Sequence, residues 1–157
     1  AELHRVAKAR LKQLDAWLDA LLARHKLDDS RMVLAGFSQG AILAALAAAR
    51  RGALGAIVAG GVPGQPVFSA AAGDYIGGLW PRWEALMPQG GRSPPAFCAA
   101  NGDKDPFVWR ESVERMLAGY SCDWLWEKGV GHDFPASWRR FSVRWTQALC
   151  RDILGAE

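Results

Sequence analysis

The chain has 157 residues, half of them apolar and 22% charged, enough to bury the core of one globular domain and too apolar for a disordered polymer. Its formal net charge is +3 and the basic residues are scattered along the sequence, so no stripe or tail is offered to nucleic acid or to an anionic membrane, and small molecules are the expected partners. Cys98, Cys122 and Cys150 have neither the close spacing of a zinc site nor that of a disulfide framework, and read as buried small hydrophobes in a reducing compartment.

The chain opens in helical register. Leu3, Val6, Ala7, Leu11, Leu14, Leu18, Leu21 and Leu22 recur every three or four residues, with Arg5, Lys8, Lys12, Asp15 and Asp19 between them. No capping residue or strand precedes this helix, which predicts that further sequence upstream belongs to the same domain. No charged segment followed by an apolar one leads the chain, so export is not expected. Asp28, Asp29 and Ser30 then form a polar turn, and Met32 to Phe37 reads as a short apolar strand.

Gln39 to Arg50 is an alanine-rich helix with hardly any polar face, and so must be buried. The apolar run Met32 to Ala49 is long enough to suggest a membrane span. Gly36, Ser38, Gln39 and Gly40 interrupt its middle, however, and a buried strand, turn and helix explain it better. Further strands are expected at Ala56 to Val62, Ala96 to Ala100 and Cys122 to Trp126, and further helices at Phe107 to Leu117 and Pro135 to Cys150.

Short apolar strands alternating with helices predict an α/β domain: a parallel sheet with helices on both faces and reactive residues at the carboxyl ends of its strands. The segment Pro63 to Pro95 breaks the rhythm. It is rich in glycine and proline and carries Tyr75, Trp80, Trp83, Leu86 and Met87, so it is either a lid over a site or a surface excursion with its own small apolar cluster.

Gly36-Phe37-Ser38-Gln39-Gly40 matches the pattern G-x-S-x-G between a strand and a helix. A tight turn there lifts the Ser38 hydroxyl above the sheet, and a β-carbon at either glycine is expected to clash. The backbone N–H of Gln39, at the start of the helix, would face a developing oxyanion. A serine hydroxyl needs a base that a third group orients. The sequence offers His132 just past the fourth strand and Asp105 just past the third, with Asp103 as the alternative acid, more suited to holding its turn through backbone hydrogen bonds. His4 and His25 lie on the first helix and Asp133 should point away from His132, so none of these three is a candidate.

With Gly36-Phe37-Ser38-Gln39-Gly40-Ala41, Gly102-Asp103-Lys104-Asp105-Pro106-Phe107-Val108 and Gly131-His132, the sequence resembles the phospholipase/carboxylesterase family of α/β-hydrolases, which includes acyl-protein thioesterases. The resemblance runs from Met32 to the end of the chain. It implies an α/β-hydrolase fold and a cytoplasmic, metal-free and cofactor-free hydrolase of esters or thioesters, with Ser38, Asp105 and His132 as its triad. Trp80, Trp83, Met87 and Phe107 are then candidates for binding an apolar acyl group.

Two departures stand out. Asn101 replaces a histidine common in that family and is expected to change the rim of the site, and the family's early strands and second oxyanion-donating loop have no counterpart. The strand Met32 to Phe37 is therefore expected to expose an apolar edge that pairs with another copy or with a separate N-terminal segment. A catalytically silent interaction module, and a fragment that needs a missing N-terminal half, are the competing readings.

Overall fold

The computed structural model describes residues 2–61, 67–69, 74–76 and 94–155, and every absence noted below concerns these residues. In chain order they form helix α1 (Glu2–His25), a 3-10 turn (Asp29–Arg31), strand β1 (Val33–Phe37), helix α2 (Gln39–Arg51), strands β2 (Gly55–Ala59), β3 (Val67–Ser69), β4 (Asp74–Ile76) and β5 (Ala96–Gly102), helix α3 (Arg110–Leu117), strand β6 (Cys122–Glu127) and helix α4 (Ala136–Leu154). Four parallel strands pair in the order β1-β2-β5-β6, as the alternation of apolar runs and helices requires. A separate antiparallel pair, β3 with β4, lies within the segment read as a lid or excursion.

The core forms on both faces of the sheet. One cluster joins Leu11 of α1 and the alanines of α2 to Val58, Phe97, Ala99, Val113 and Leu117. The other joins Ala59 and Ala100 to Trp138 of α4. Leu11, Leu18, Leu46, Phe97 and Trp138 are each almost fully enclosed, and burying a side chain of this size contributes about 1.5–3 kcal/mol. Helix α2 is buried from Ala41 almost to its end, because a run of alanines lets it lie close on β1 and β2. The amphipathic pattern of α1 holds at Leu11, Leu18 and Leu22, whereas Leu21 stays exposed.

Arg51 fixes α1 against α2. Its guanidinium donates to Asp29 at 2.5 Å and to Asp19 at 2.6 Å, and Arg50 pairs with Asp15 at 2.9 Å. Arg139, Arg140 and Arg144 lie around the exposed Val143 on α4.

Some boundaries differ from the sequence reading. Strand β2 ends at Ala59 rather than Val62, because the chain turns away at Gly60 with φ of 64°. Helix α3 begins at Arg110 rather than Phe107, after a turn in which the Asp105 carboxylate takes the Phe107 N–H at 2.8 Å. Helix α4 continues past Cys150 to Leu154. No described helix is long and apolar enough to cross a membrane. Strand β1 pairs with β2 alone, so its other edge is open among the described residues, as expected.

Candidate active site

The carboxyl ends of β1, β5 and β6 meet on one rim of the sheet. Ser38 follows β1 directly. Its backbone N–H donates to Ala59 O at 2.8 Å, prolonging the ladder with β2, while its carbonyl accepts the Ala41 N–H at 3.0 Å and opens α2. One residue thus ends a strand and caps a helix, and it does so at φ 55°, ψ −122°, a backbone strained for anything but glycine. The hydroxyl makes no capping bond to α2 and is left for another partner.

Close approach of strand and helix makes the turn possible. A β-carbon at Gly36 would lie 2.1 Å from the Gly40 carbonyl oxygen and 2.5 Å from Ala41 N, against backbone that cannot move aside. The expectation of a clash at either glycine is corrected here: around a β-carbon at Gly40 there is nothing within 4 Å, because that position faces outward from α2.

His132 Nε2 lies 2.9 Å from Ser38 Oγ, and His132 Nδ1 lies 2.7 Å from Asp105 Oδ2. A carboxylate can only accept, so Nδ1 carries the proton and Nε2 presents a lone pair to the hydroxyl. The Asp105 side chain is fully enclosed, and its second oxygen accepts the Phe107 N–H, so both oxygens are fixed. His132 remains partly open to solvent. The arrangement can move a proton from Ser38 to the imidazole while the carboxylate steadies the cation that forms. Gln39 is the first residue of α2, so its N–H has no carbonyl partner within the helix and lies at the positive end of the helix dipole.

Asp103 turns out to act between loops rather than within its own turn. Its Oδ1 accepts the Gly129 N–H at 2.6 Å, and its own N–H donates to Glu127 O at 3.1 Å. Lys104 N–H adds a bond to Val130 O at 2.9 Å. The two loops touch because Gly102 has no side chain: a β-carbon there would sit 2.0 Å from Val130 O. This contact brings Asp105 and His132 together. Asp133 points away, its carboxylate bonded to Phe134 N–H at 2.6 Å.

His25 is exposed at the end of α1, far along the chain from the site. Asn101 is the last residue but one of β5, at the carboxyl end of the strand. It lies in an interior strand, 1% exposed, opposite Trp126, and its amide has no hydrogen-bond partner among the described residues.

Aromatic side chains flank the imidazole. Phe37 lies 4.9 Å from the His132 ring and Phe107 lies 5.0 Å from it, edge-on. Phe134 packs on Phe37 at 6.0 Å and on Trp138 at 5.9 Å. Phe107 therefore joins the site, whereas Trp80, Trp83 and Met87 lie outside the described residues. Phe37 and Phe134 escaped the sequence reading, although each is within two residues of Ser38 or His132.

A hollow at the opposite end of the sheet, between Asp28, Arg51, Pro94 and Leu149, holds the Ser30 hydroxyl bonded to the Asp28 carboxylate, with no histidine in its described lining. Among the described residues no three His, Cys, Asp or Glu side chains converge as metal ligands.

Comparison with known proteins bears on the family and the fold. The family model described as Esterase PHB depolymerase matches residues 10–99. No curated protein matches the chain. Among solved structures, esterase PE8 is similar at a TM-score of 0.71 with 22% identity, over 94% of this chain and 63% of that one. SOBER1 from Arabidopsis thaliana follows at 0.70 with 16% identity, over 93% and 65%. A carboxylesterase from Bacillus cereus is similar at 0.61 with 18% identity, over 91% and 61%. The chain thus spans less than two thirds of the length of each of these structures, and at such identities the likeness concerns the α/β-hydrolase fold.

Proposed function

The chain belongs to the Esterase PHB depolymerase family, and from that premise we propose that it is a serine hydrolase that cleaves carboxylic esters or thioesters of apolar acyl groups through an acyl-enzyme. The reading rests on one observation, the unbroken line of hydrogen bonds from Asp105 through His132 to Ser38. Ser38 Oγ bonds to the carbonyl carbon as its proton passes to His132 Nε2, and Gln39 N–H faces the oxyanion. The C–O or C–S bond then breaks, the proton moves from Nε2 to the leaving group, and water repeats the sequence to free the acid and restore Ser38. Trp80, Trp83 and Met87 remain proposed contacts for the acyl group.

Labelling by a fluorophosphonate tests this reading. Wild-type protein should be labelled at one site, and Ser38→Ala and His132→Ala should not be. A folded wild-type sample that resists the reagent refutes the assignment.

The open edge of β1 favours one second reading, a catalytically silent module that presents this strand to a partner. Hydrolysis of a p-nitrophenyl ester separates the two: turnover above the His132→Ala background excludes the silent module.

A further inference from the structure

We propose that the aromatic rim around His132 selects the alcohol or thiol half of the substrate, favouring esters whose leaving group carries an apolar chain or an aryl ring. This rests on the roles of Ser38 and His132 proposed above, extends them to the leaving group, and moves Phe107, read from the sequence as a contact for the acyl group, to that half of the substrate.

The direction follows from the chemistry of the tetrahedral adduct. Its carbon bears Ser38 Oγ, the oxyanion, the leaving atom and the acyl chain. The oxyanion turns toward Gln39 N–H at the start of α2. For the adduct to collapse, the leaving atom must come within hydrogen-bond reach of His132 Nε2, about 2.6–3.2 Å. The first few atoms beyond it therefore lie beside the groups that flank the imidazole, and the acyl chain takes the remaining direction.

Those flanking groups are aromatic. Phe107 stands edge-on to the imidazole at 5.0 Å, Phe37 lies on it at 4.9 Å, and Phe134 extends the surface from Phe37 at 6.0 Å. Phe37 is half-buried and packs against Phe134, whereas Phe107 is 45% and Phe134 44% exposed. Large apolar side chains left this open beside a reactive group mark a binding surface more often than a packing accident. Rings presented edge and face suit an aryl or alkyl group on the leaving oxygen or sulfur.

Two ester series that start from ethyl acetate test the proposal on the full chain. In one, acetate is held constant and the alcohol is ethanol, 1-butanol or 3-phenylpropan-1-ol, which have similar acidity. In the other, ethanol is held constant and the acid grows in the same steps. Across the alcohol series kcat/KM should rise on the order of 10-fold. Phe107→Ala and Phe134→Ala should each remove most of that rise, and Phe107→Leu should keep part of it.

The ratio between two esters on the same variant cancels any general effect on His132. The acyl-series ratios should not move in these variants. A flat alcohol series in a protein whose Ser38 takes up fluorophosphonate overturns the selectivity alone, as does a rise that survives both alanine variants. Absence of both labelling and turnover overturns the nucleophile assignment, and the selectivity falls with it.

Discussion

Asp103 accepts the Gly129 N–H at 2.6 Å, so the loop that carries the candidate acid is bonded to the loop that carries the candidate base. Asp105 sits two residues beyond the first anchor and His132 three residues beyond the second, and their own contact of 2.7 Å depends on the loops staying together. Loss of this anchor should act through geometry, since Asp103 touches neither Ser38 nor His132. Asp103→Ala should lower kcat/KM for an ester about 10-fold, a displacement well short of 1 Å. Asp103→Asn, whose amide oxygen can still accept, should stay within about 3-fold of wild type. Asp105→Asn should cost on the order of 10,000-fold in kcat, because the amide cannot steady an imidazolium and favours the wrong tautomer. Steady-state kinetics on one activated ester would rank the three, and an Asp103→Asn variant as impaired as Asp105→Asn would refute the division of labour.

The two glycines of the nucleophile turn should respond differently to the same substitution. Gly36→Ala forces a β-carbon against the backbone of Gly40 and Ala41, and strand and helix would have to separate. It should destabilise the fold by roughly 3 kcal/mol or more, or prevent folding. Gly40→Ala meets open space on a helix, where alanine is the better former, so stability should hold or rise by up to about 1 kcal/mol. Urea denaturation of both variants provides the comparison, and similar losses in the two would contradict the geometry.

The sheet and the nucleophile turn were legible in the sequence because they depend on local signals. Apolar runs of strand length and glycines two residues either side of Ser38 need no distant partner to be recognised. Asp105 and His132 were legible as candidates because each follows a strand closely. What escaped notice depends on tertiary contact. The role of Asp103 follows from a loop 26 residues away. The burial of Asn101 depends on β5 being interior, which strand order alone decides. Phe134 could have been found, since an aromatic two residues from a candidate base is itself a signal.

The cysteines give a prediction about alkaline pH. Burial, reinforced by the charge of Asp123, pushes the Cys98 thiol up to about 12. Burial, then Cys98 and Asp123, does the same to Cys122, also to about 12. Both groups are held in the neutral form by the fold, so their folded pKa exceeds the ordinary value of 9.0. Their contribution is fully present below pH 9 and is lost as pH rises toward 12, with a slope of up to about 1.4 kcal/mol per pH unit for each thiol. Cys98→Ala should flatten the decline of stability over that window, as measured by urea midpoints. At pH 8 both thiols should react with iodoacetamide roughly 1,000-fold more slowly in the native protein than in denaturant. Prompt native labelling of Cys98 would refute this.

The free edge of β1 bears on how the 157-residue chain behaves in solution. Val33 to Phe37 is apolar throughout, and on the side away from β2 its N–H and C=O groups have no strand partner among the described residues. Such an edge is a template for a further strand. Gel filtration of this chain should therefore show association that grows with concentration. Ala35 is the exposed residue of the strand, so Ala35→Lys should place a charge at the edge with little cost to the fold and shift the profile toward monomer. A chain that elutes as a monomer at every concentration would overturn this prediction.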